Sequence, residues 1–357
     1  MGFSTEQLVM QRLLSTMAQK QASDLHLSVG NSPTLRINGQ LLALNEEPIL
    51  QTEFVKKLAE SILSVEQKQV LEKVREITIS HNFLGKVRFR VHVFYQQGFI
   101  SLSLRQIKDK VPSFQELGLP PEFIHFVNLP RCFVIVTGAF GSGRTTTLSA
   151  LVGAMNATHA YHVVTLEKPI EQIFIDNKSL IEQREIGKDT PTFVSGLNSV
   201  LNEDINCVMI SDIPDGDTIM KLLEVAESGK IVYAGLSAPN VISALENLIN
   251  SVSPDEEEQL RSKLARNLTS IIALKLIPSS NSGVVPAIEM LTPDDTSRNS
   301  IREGSFNQLR DILEHSRTAG TQSFDRALVA LIQQRKISVE KAIEHATDPR
   351  FIQSNLA

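Results

Sequence analysis

The clearest chemistry in this sequence lies in eight consecutive residues, Gly138-Ala139-Phe140-Gly141-Ser142-Gly143-Arg144-Thr145. They follow the apolar run Phe133-Val134-Ile135-Val136 and open a helix. The pattern is that of a phosphate-binding loop, GxxxxGK[ST], with only the lysine changed. Glycines in such a loop let successive backbone N–H groups turn inward around phosphate oxygens, and the helix start adds the positive end of its dipole. Gly138, Gly141, Ser142, Gly143, Arg144, Thr145 and Thr146 are therefore expected to line a nucleotide, ATP or ADP. The Thr145 hydroxyl is placed to ligate Mg²⁺.

Arg144 is the departure. A lysine ammonium is a compact point charge that fits beside the β- and γ-phosphates. A guanidinium is broader and planar. It still attracts phosphate, but it would push the γ-phosphate or the metal out of in-line geometry. Nucleotide binding is expected to survive, because the backbone cradle remains; hydrolysis is expected to be strongly impaired.

The elements that position this loop are legible around it. Phe133–Val136 is a continuous β-branched and aromatic run, as in a strand covered on both faces of a parallel sheet. Further apolar runs at His162 to Leu166, Cys207 to Ile210 and Ile231 to Leu236 alternate with helical segments, which indicates an α/β domain. From Pro254 onward the pattern reads as mostly helical, with the acid run Asp255–Glu258 at a solvated helix start. The N-terminal part has a different texture. Leu8, Met10, Leu13, Leu14 and Met17 recur at helical spacing, Asp24–Leu27 alternates like a strand, and Asn38-Gly39 signals a hairpin. Phe54 to Val70 reads as one helix or two. Arg88–Phe94 alternates and pairs with Ile100–Leu104 after a turn at Gly98. The expected division is a small antiparallel α+β domain over 1–111, a Pro-rich linker over 112–121, a nucleotide-binding domain over 122–290 and a helical region over 291–357.

Bulk composition excludes several classes. Of the 357 residues, 42% are hydrophobic and 21% charged, which leaves ample apolar material for cores, and the net charge of -5 argues against a nucleic-acid binder. The N-terminus lacks the apolar core of a signal peptide, and no stretch approaches the ~18 apolar residues of a membrane span. A soluble, cytoplasmic protein is expected, with Cys132 and Cys207 as buried free thiols. His26 reads as a structural hydrogen-bonder, and no His/Cys cluster has metal-ligand spacing.

Taken in order, the motifs resemble the type IV pilus retraction ATPases, the PilT-like branch of the secretion ATPases. The resemblance rests on Ser23-Asp24-Leu25-His26-Leu27 with Asn38-Gly39, Arg88-Phe89-Arg90-Val91, the loop in frame with Val136-Thr137-Gly138, Thr165-Leu166-Glu167-Lys168-Pro169-Ile170-Glu171, Gln183-Arg184-Glu185 and Arg302-Glu303-Gly304. It runs along nearly all of the chain. It implies a PAS-like N-terminal domain, a RecA-like P-loop domain with a mainly parallel sheet, and a helical C-terminal region. It also implies a homo- or hetero-hexamer with PilT-like ATPases, at the cytoplasmic face of the inner membrane. There the partner would be the pilus platform protein, with membrane association only through partners. By the same resemblance Glu167 would polarise the attacking water. Asp212, at the end of the Walker B strand, would reach Mg²⁺ through water. Arg88, Arg90 and Arg105 would contact phosphate.

Departures from the family pattern concentrate at these positions. Lys168 replaces an acid and Ser211-Asp212 replaces Gly-Glu. Pro214 stands for an arginine, Ser237 for the box histidine and Lys230 for a second histidine. The N-domain loop Tyr95-Gln96-Gln97-Gly98 lacks the usual arginine. Plainer roles stay open: a solvated strand-end acid for Glu167, a turn or helix cap for Asp212, surface charges for Arg88 and Arg90. Three functions are compatible: a nucleotide-binding, weakly hydrolysing modulatory ring subunit; a working retraction motor with altered residues; and a docking scaffold that binds no nucleotide.

Overall fold

The computed structural model describes residues 5–37, 40–83, 87–106, 111–281, 283–315 and 320–355. The chain divides into two compact units, Met1–Asp109 with Pro169–Ile173, and Lys110–Lys168 with Phe174–Ala357.

The first unit is built from α1 (Thr5–Gln19), β1 (Asp24–Leu27), β2 (Thr34–Ile37), β3 (Gln40–Ala43), α2 (Thr52–Ile62), α3 (Val65–Val74), β4 (Glu76–Phe83), β5 (Val87–Gln96) and β6 (Phe99–Gln106). Its six strands form one antiparallel sheet in the order β3-β2-β1-β6-β5-β4. The apolar stripe of α1, Met10, Leu13 and Met17, joins Val55 and Leu58 of α2 over one core with Leu25, Leu27, Val91 and Leu104 of the sheet. Asn38-Gly39 lies outside the described residues; the strands flanking it pair antiparallel with Ile37 opposite Gln40. Edge strand β4 is an addition to the hairpin read from sequence. His26, read as a hydrogen-bonder, instead has its Nε2 buried without a hydrogen-bond partner among the described residues, and burial holds its imidazole below the ordinary histidine range.

The second unit runs α4 (Ile124–Asn128), β7 (Cys132–Gly138), α5 (Arg144–Thr158), β8 (His162–Glu167), β9 (Leu180–Glu185), α6 (Phe193–Asn202), β10 (Cys207–Ile210), α7 (Gly216–Glu227), β11 (Ile231–Ser237), α8 (Val241–Ile249), α9 (Pro254–Asn267), β12 (Ser270–Pro278), β13 (Val284–Leu291), α10 (Asp295–Glu303), α11 (Phe306–His315), α12 (Phe324–Gln333), α13 (Val339–His345) and α14 (Pro349–Ser354). Its seven strands lie in the order β13-β12-β7-β11-β10-β8-β9, all parallel except the β12–β13 hairpin. Every residue of β7 is buried, because helices cover both faces of the sheet. Phe133 and Ile135 face the larger core, shared with α6, α7 and α8. Val134 and Val136 face the other, shared with Leu148, Leu151 and Met155 of α5.

Beyond Pro254 the chain is mostly helical as read, with six helices among the described residues, and the hairpin β12–β13 is the element that the reading lacked. Ser270-Ile271-Ile272-Ala273-Leu274 lies beside β7 and is buried throughout, so it shows no alternation. A continuous apolar run of that length has no period that separates strand from helix. The acid run opens α9, with Ser253 and Glu256 forming a reciprocal capping box.

Candidate functional site

The loop Gly138–Gly143 joins the end of β7 to the start of α5, at the edge of the sheet where the parallel strands end. Gly138 cannot carry a side chain: a Cβ there would lie 2.2 Å from Ser142 Oγ and 2.7 Å from the Leu274 carbonyl oxygen. Gly143, at φ 92°, takes the left-handed conformation and stands as the N-cap of α5 without a side chain to bond the first turn. The next three helices of this unit are closed differently. Thr192, Asp215 and Asn240 each accept a hydrogen bond from a first-turn N–H of α6, α7 and α8. The start of α5 thus presents its N–H groups to an incoming acceptor. Ser142 Oγ is buried and has no hydrogen-bond partner among the described residues. A buried hydroxyl left unbonded costs free energy unless a ligand completes it. Cradle, open helix start and orphaned hydroxyl all suit a phosphate group. Thr145 is half-buried and Thr146 exposed in the first turn of α5, while Phe140 at the loop tip is 90% exposed.

Arg144 does not point freely into the loop. Its Nη1 donates to Asp212 Oδ1 at 3.4 Å. Asp212 lies two residues beyond the end of β10, and β11 alone separates β10 from β7. Burial pushes the Asp212 carboxyl above the usual aspartate range, and the charge of Arg144 pulls it back. The helix that follows is capped by Asp215, so Asp212 is not that helix's cap. Its backbone position is tied down: Ser211 N–H donates to the Leu166 carbonyl, and Ser211 Oγ accepts from Lys168 N–H.

Glu167 ends β8 and is fully buried, which rules out a solvated strand-end acid. Its Oε1 accepts from Thr165 Oγ1 at 2.6 Å and from Gln183 Nε2 at 3.1 Å. The pairing of β8 with β10 sets Leu166 opposite Ile210, so Glu167 and Ser211 leave the sheet side by side. Ser237, where the family pattern has histidine, ends β11 in register with Gly138, and Thr137 Oγ1 donates to the Ala238 carbonyl just beyond it. Gly138, Arg144, Glu167, Asp212 and Ser237 thus all lie at one edge. Lys168 is exposed. Lys230 is elsewhere. It precedes β11, at the opposite edge, where its Nζ donates to the carbonyls of Glu203 and Ile205. Its substitution for histidine therefore belongs to the scaffold and not to this site, which corrects the reading that grouped it with the lost catalytic residues.

In the first unit, register places Arg90 opposite Arg105, Arg105 opposite Asp24, and Asp24 opposite Arg36, in one row across four strands. Arg105 Nε donates to Asp24 Oδ1 at 2.7 Å. Burial works against the charged form of Asp24, but the hydrogen bonds from Arg105 and Ser23 prevail and hold its carboxyl below the usual range. Arg90 Nη1 donates to Glu171 Oε1 at 2.7 Å. Arg88 lies in β5 opposite Asn82; its side chain is outside the described residues. Asp24 and Glu171 are the residues that reading motif by motif did not assign. Cross-strand pairing of Asp24 with the arginines is the signal that finds the first.

The donor set for Mg²⁺ would be Thr145 and Asp212. Among the described residues no group of three or more His, Cys, Asp or Glu side chains could hold a metal ion, and the Asp212 carboxylate carries the Arg144 guanidinium. A guanidinium resting on the carboxylate that should face a dication does not fit a metal held in this way.

A family model described as "Type II/IV secretion system protein" matches residues 3–353. The chain is 34% identical over 337 residues to the type IV pilus retraction ATPase PilT of Pseudomonas aeruginosa, covering 94% of this chain and 98% of that protein. It is 31% identical to the type IV pilus ATPase PilU of the same organism, covering 94% and 88%. The crystal structure of the pilus retraction motor PilT with bound ADP superposes with a TM-score of 0.87 at 30% identity, covering 99% of this chain and all of that one.

Proposed function

The chain belongs to the type II/IV secretion system protein family, in its PilT-like pilus retraction ATPase branch, and from this membership we propose that it is a nucleotide-binding subunit of a type IV pilus retraction machine with little ATP turnover of its own. The observation that carries this reading is a phosphate cradle kept whole around a changed cation. Gly138, Gly143 and the unbonded Ser142 hydroxyl hold the shape that receives phosphate, while Arg144 is turned onto Asp212. The pilus retraction motor that superposes on this chain was crystallised with ADP, which supports nucleotide as the ligand.

Phosphoryl transfer depends on positioning and on charge, and one well-placed cation is worth roughly 10³–10⁵ in rate. Here the loop lysine is an arginine, the box histidine is Ser237, and an acid beside Glu167 is Lys168. Glu167 is retained and held by Thr165 and Gln183, so the water-orienting position outlasts the groups that stabilise charge. A subunit of this kind acts as a modulator. It assembles as a hexamer, alone or mixed with an active PilT-like paralogue, at the cytoplasmic face of the inner membrane, and it reaches the pilus platform protein through that ring. In a closed ring the same heterologous surface recurs at every interface, so loss of turnover in one subunit leaves assembly intact.

ATP turnover by the purified chain is expected to be at least about 100-fold below a slow enzyme at ~1 s⁻¹. A rate near that value, abolished by Glu167→Gln, would instead establish a working motor. Light scattering with and without nucleotide and an active paralogue checks the ring, and a species of monomer mass under every condition would refute it.

A further inference from the structure

The carboxylate that would serve a metal at the phosphate loop already faces the guanidinium of a largely buried side chain. Arg144 is the first residue of α5, its side chain is 19% exposed, and its Nη1 reaches Asp212 Oδ1 at 3.4 Å. The contact is long for a hydrogen bond. Charge attraction carries it, and a guanidinium held in this way can turn to a stronger acceptor. Asp212 has less freedom. Ser211 before it is bonded to Leu166 and Lys168 on the β8 side, and on the β11 side Gly235 lies so close that a Cβ there would sit 2.1 Å from the Ser211 carbonyl oxygen. The backbone that carries Asp212 is wedged between two strands, so the carboxylate, whose side chain is 46% exposed, moves only by rotation of its own side chain.

These constraints decide what can enter. Mg²⁺ demands a near-octahedral oxygen shell and surrenders its water reluctantly. It would approach a carboxylate that already faces a cation, and arginine, unlike lysine, does not relieve the repulsion by losing its proton. A phosphate meets the opposite situation. The cradle of Gly138, the open start of α5 and the Ser142 hydroxyl all await an acceptor, and the guanidinium can turn from Asp212 to a phosphate oxygen with one charge-assisted bond replacing another.

We propose that this chain binds nucleoside diphosphates without a divalent cation, with Arg144 taking the place of the metal as the positive partner of the β-phosphate and Asp212 acting as the counter-ion that the phosphate displaces. The inference rests on the nucleotide-binding reading above. It reverses the role of Asp212: as a metal-side ligand it would help nucleotide bind, whereas as the resting partner of Arg144 it competes with the nucleotide.

Fluorescently labelled ADP titrated into the full chain, with Mg²⁺ or with EDTA, tests this. The two dissociation constants are expected to agree within about twofold. Asp212→Asn, which keeps the shape and removes the charge, is expected to tighten binding in EDTA by about threefold, the scale of a partly exposed ion pair. Arg144→Lys is expected to make binding depend on Mg²⁺ by more than about tenfold. Circular dichroism verifies that both variants are folded. Wild-type binding weakened by about tenfold or more in EDTA would overturn the inference and leave nucleotide binding standing. Weaker binding by Asp212→Asn, or indifference of Arg144→Lys to Mg²⁺, would overturn it in the same way. No binding by the wild type in either condition would overturn both this inference and the nucleotide-binding reading.

Discussion

The two edges of the parallel sheet treat their polar groups in opposite ways. Where the strands begin, most donors and acceptors are matched within the protein; among the described residues the buried exception is His162 Nε2, which lies 3.5 Å from Glu182 Oε1 without a hydrogen bond. Lys230 bonds two carbonyls of the loop before β10, Asn206 and His162 exchange bonds between neighbouring strand starts, and Phe133 N–H donates to Thr269 Oγ1 at 3.0 Å. Where the strands end, among the described residues Ser142 Oγ is buried without a hydrogen-bond partner, α5 has no side-chain cap, and Arg144 meets Asp212 only at 3.4 Å. The same sheet thus has one edge finished by folding and one edge left for a ligand to finish. Substitutions at the first edge are matters of stability; substitutions at the second are matters of binding.

This contrast can be broken by measurement. Thr269→Val keeps shape and volume but strips Phe133 N–H, at a fully buried residue, of its acceptor. It is expected to cost about 1–3 kcal/mol of unfolding free energy, the penalty of an unsatisfied buried donor. Urea unfolding followed by circular dichroism reads this, since the chain has no tryptophan, and nucleotide affinity should not change. Ser142→Ala is the counterpart at the other edge. It removes a hydroxyl that is unbonded in the folded chain, so stability should hold or rise by up to about 1 kcal/mol while ADP affinity falls about two- to tenfold. A loss of stability as large as that of Thr269→Val would mean that the loop edge is also finished by folding, and the contrast would fail.

The smallest effect is one of pH. Glu203, in the loop bonded by Lys230, is held to a pKa of about 2, chiefly by its hydrogen bond from Arg184, against an ordinary value of 4.5. A carboxyl depressed in the folded state stabilises above its unfolded pKa, and that contribution is lost as pH falls through the folded value. Wild type should therefore exceed Glu203→Gln in stability near neutrality, and the gap should close as pH drops from about 4.5 to about 2. A gap that is constant across that window would show that Arg184 makes no use of the charge.

Much of this was open to reading in one dimension. The loop from Gly138 to Thr145 and the buried strand before it are contiguous, and their chemistry follows from residue type and spacing. The alternation of apolar runs with helices likewise specifies a parallel sheet covered on both faces. The hairpin β12–β13 was not legible, because burial on both sides of β12 erases the alternation that marks a strand. Edge strand β4 was missed as well, although Ile77 and Ile79 of Glu76–Phe83 alternate with polar residues.

Residue identity and local order decided that a phosphate loop exists, which cation it carries and which chemical groups were exchanged around it. Only the assembled sheet decided which of those exchanges matter together. Ser237 and Lys230 are seven residues apart on one strand segment, and a strand advances about 3.3 Å per residue, so one stands beside Gly138 and the other at the far edge. Arg144 and Asp212 are 68 positions apart in the chain and meet because β11 alone lies between β7 and β10, the strands that lead to them. Arg105 and Asp24, 81 positions apart, meet because β1 and β6 are paired in that register. Spacing along a chain specifies what a side chain can do; hydrogen-bonded register between distant strands specifies the partner with which it does it.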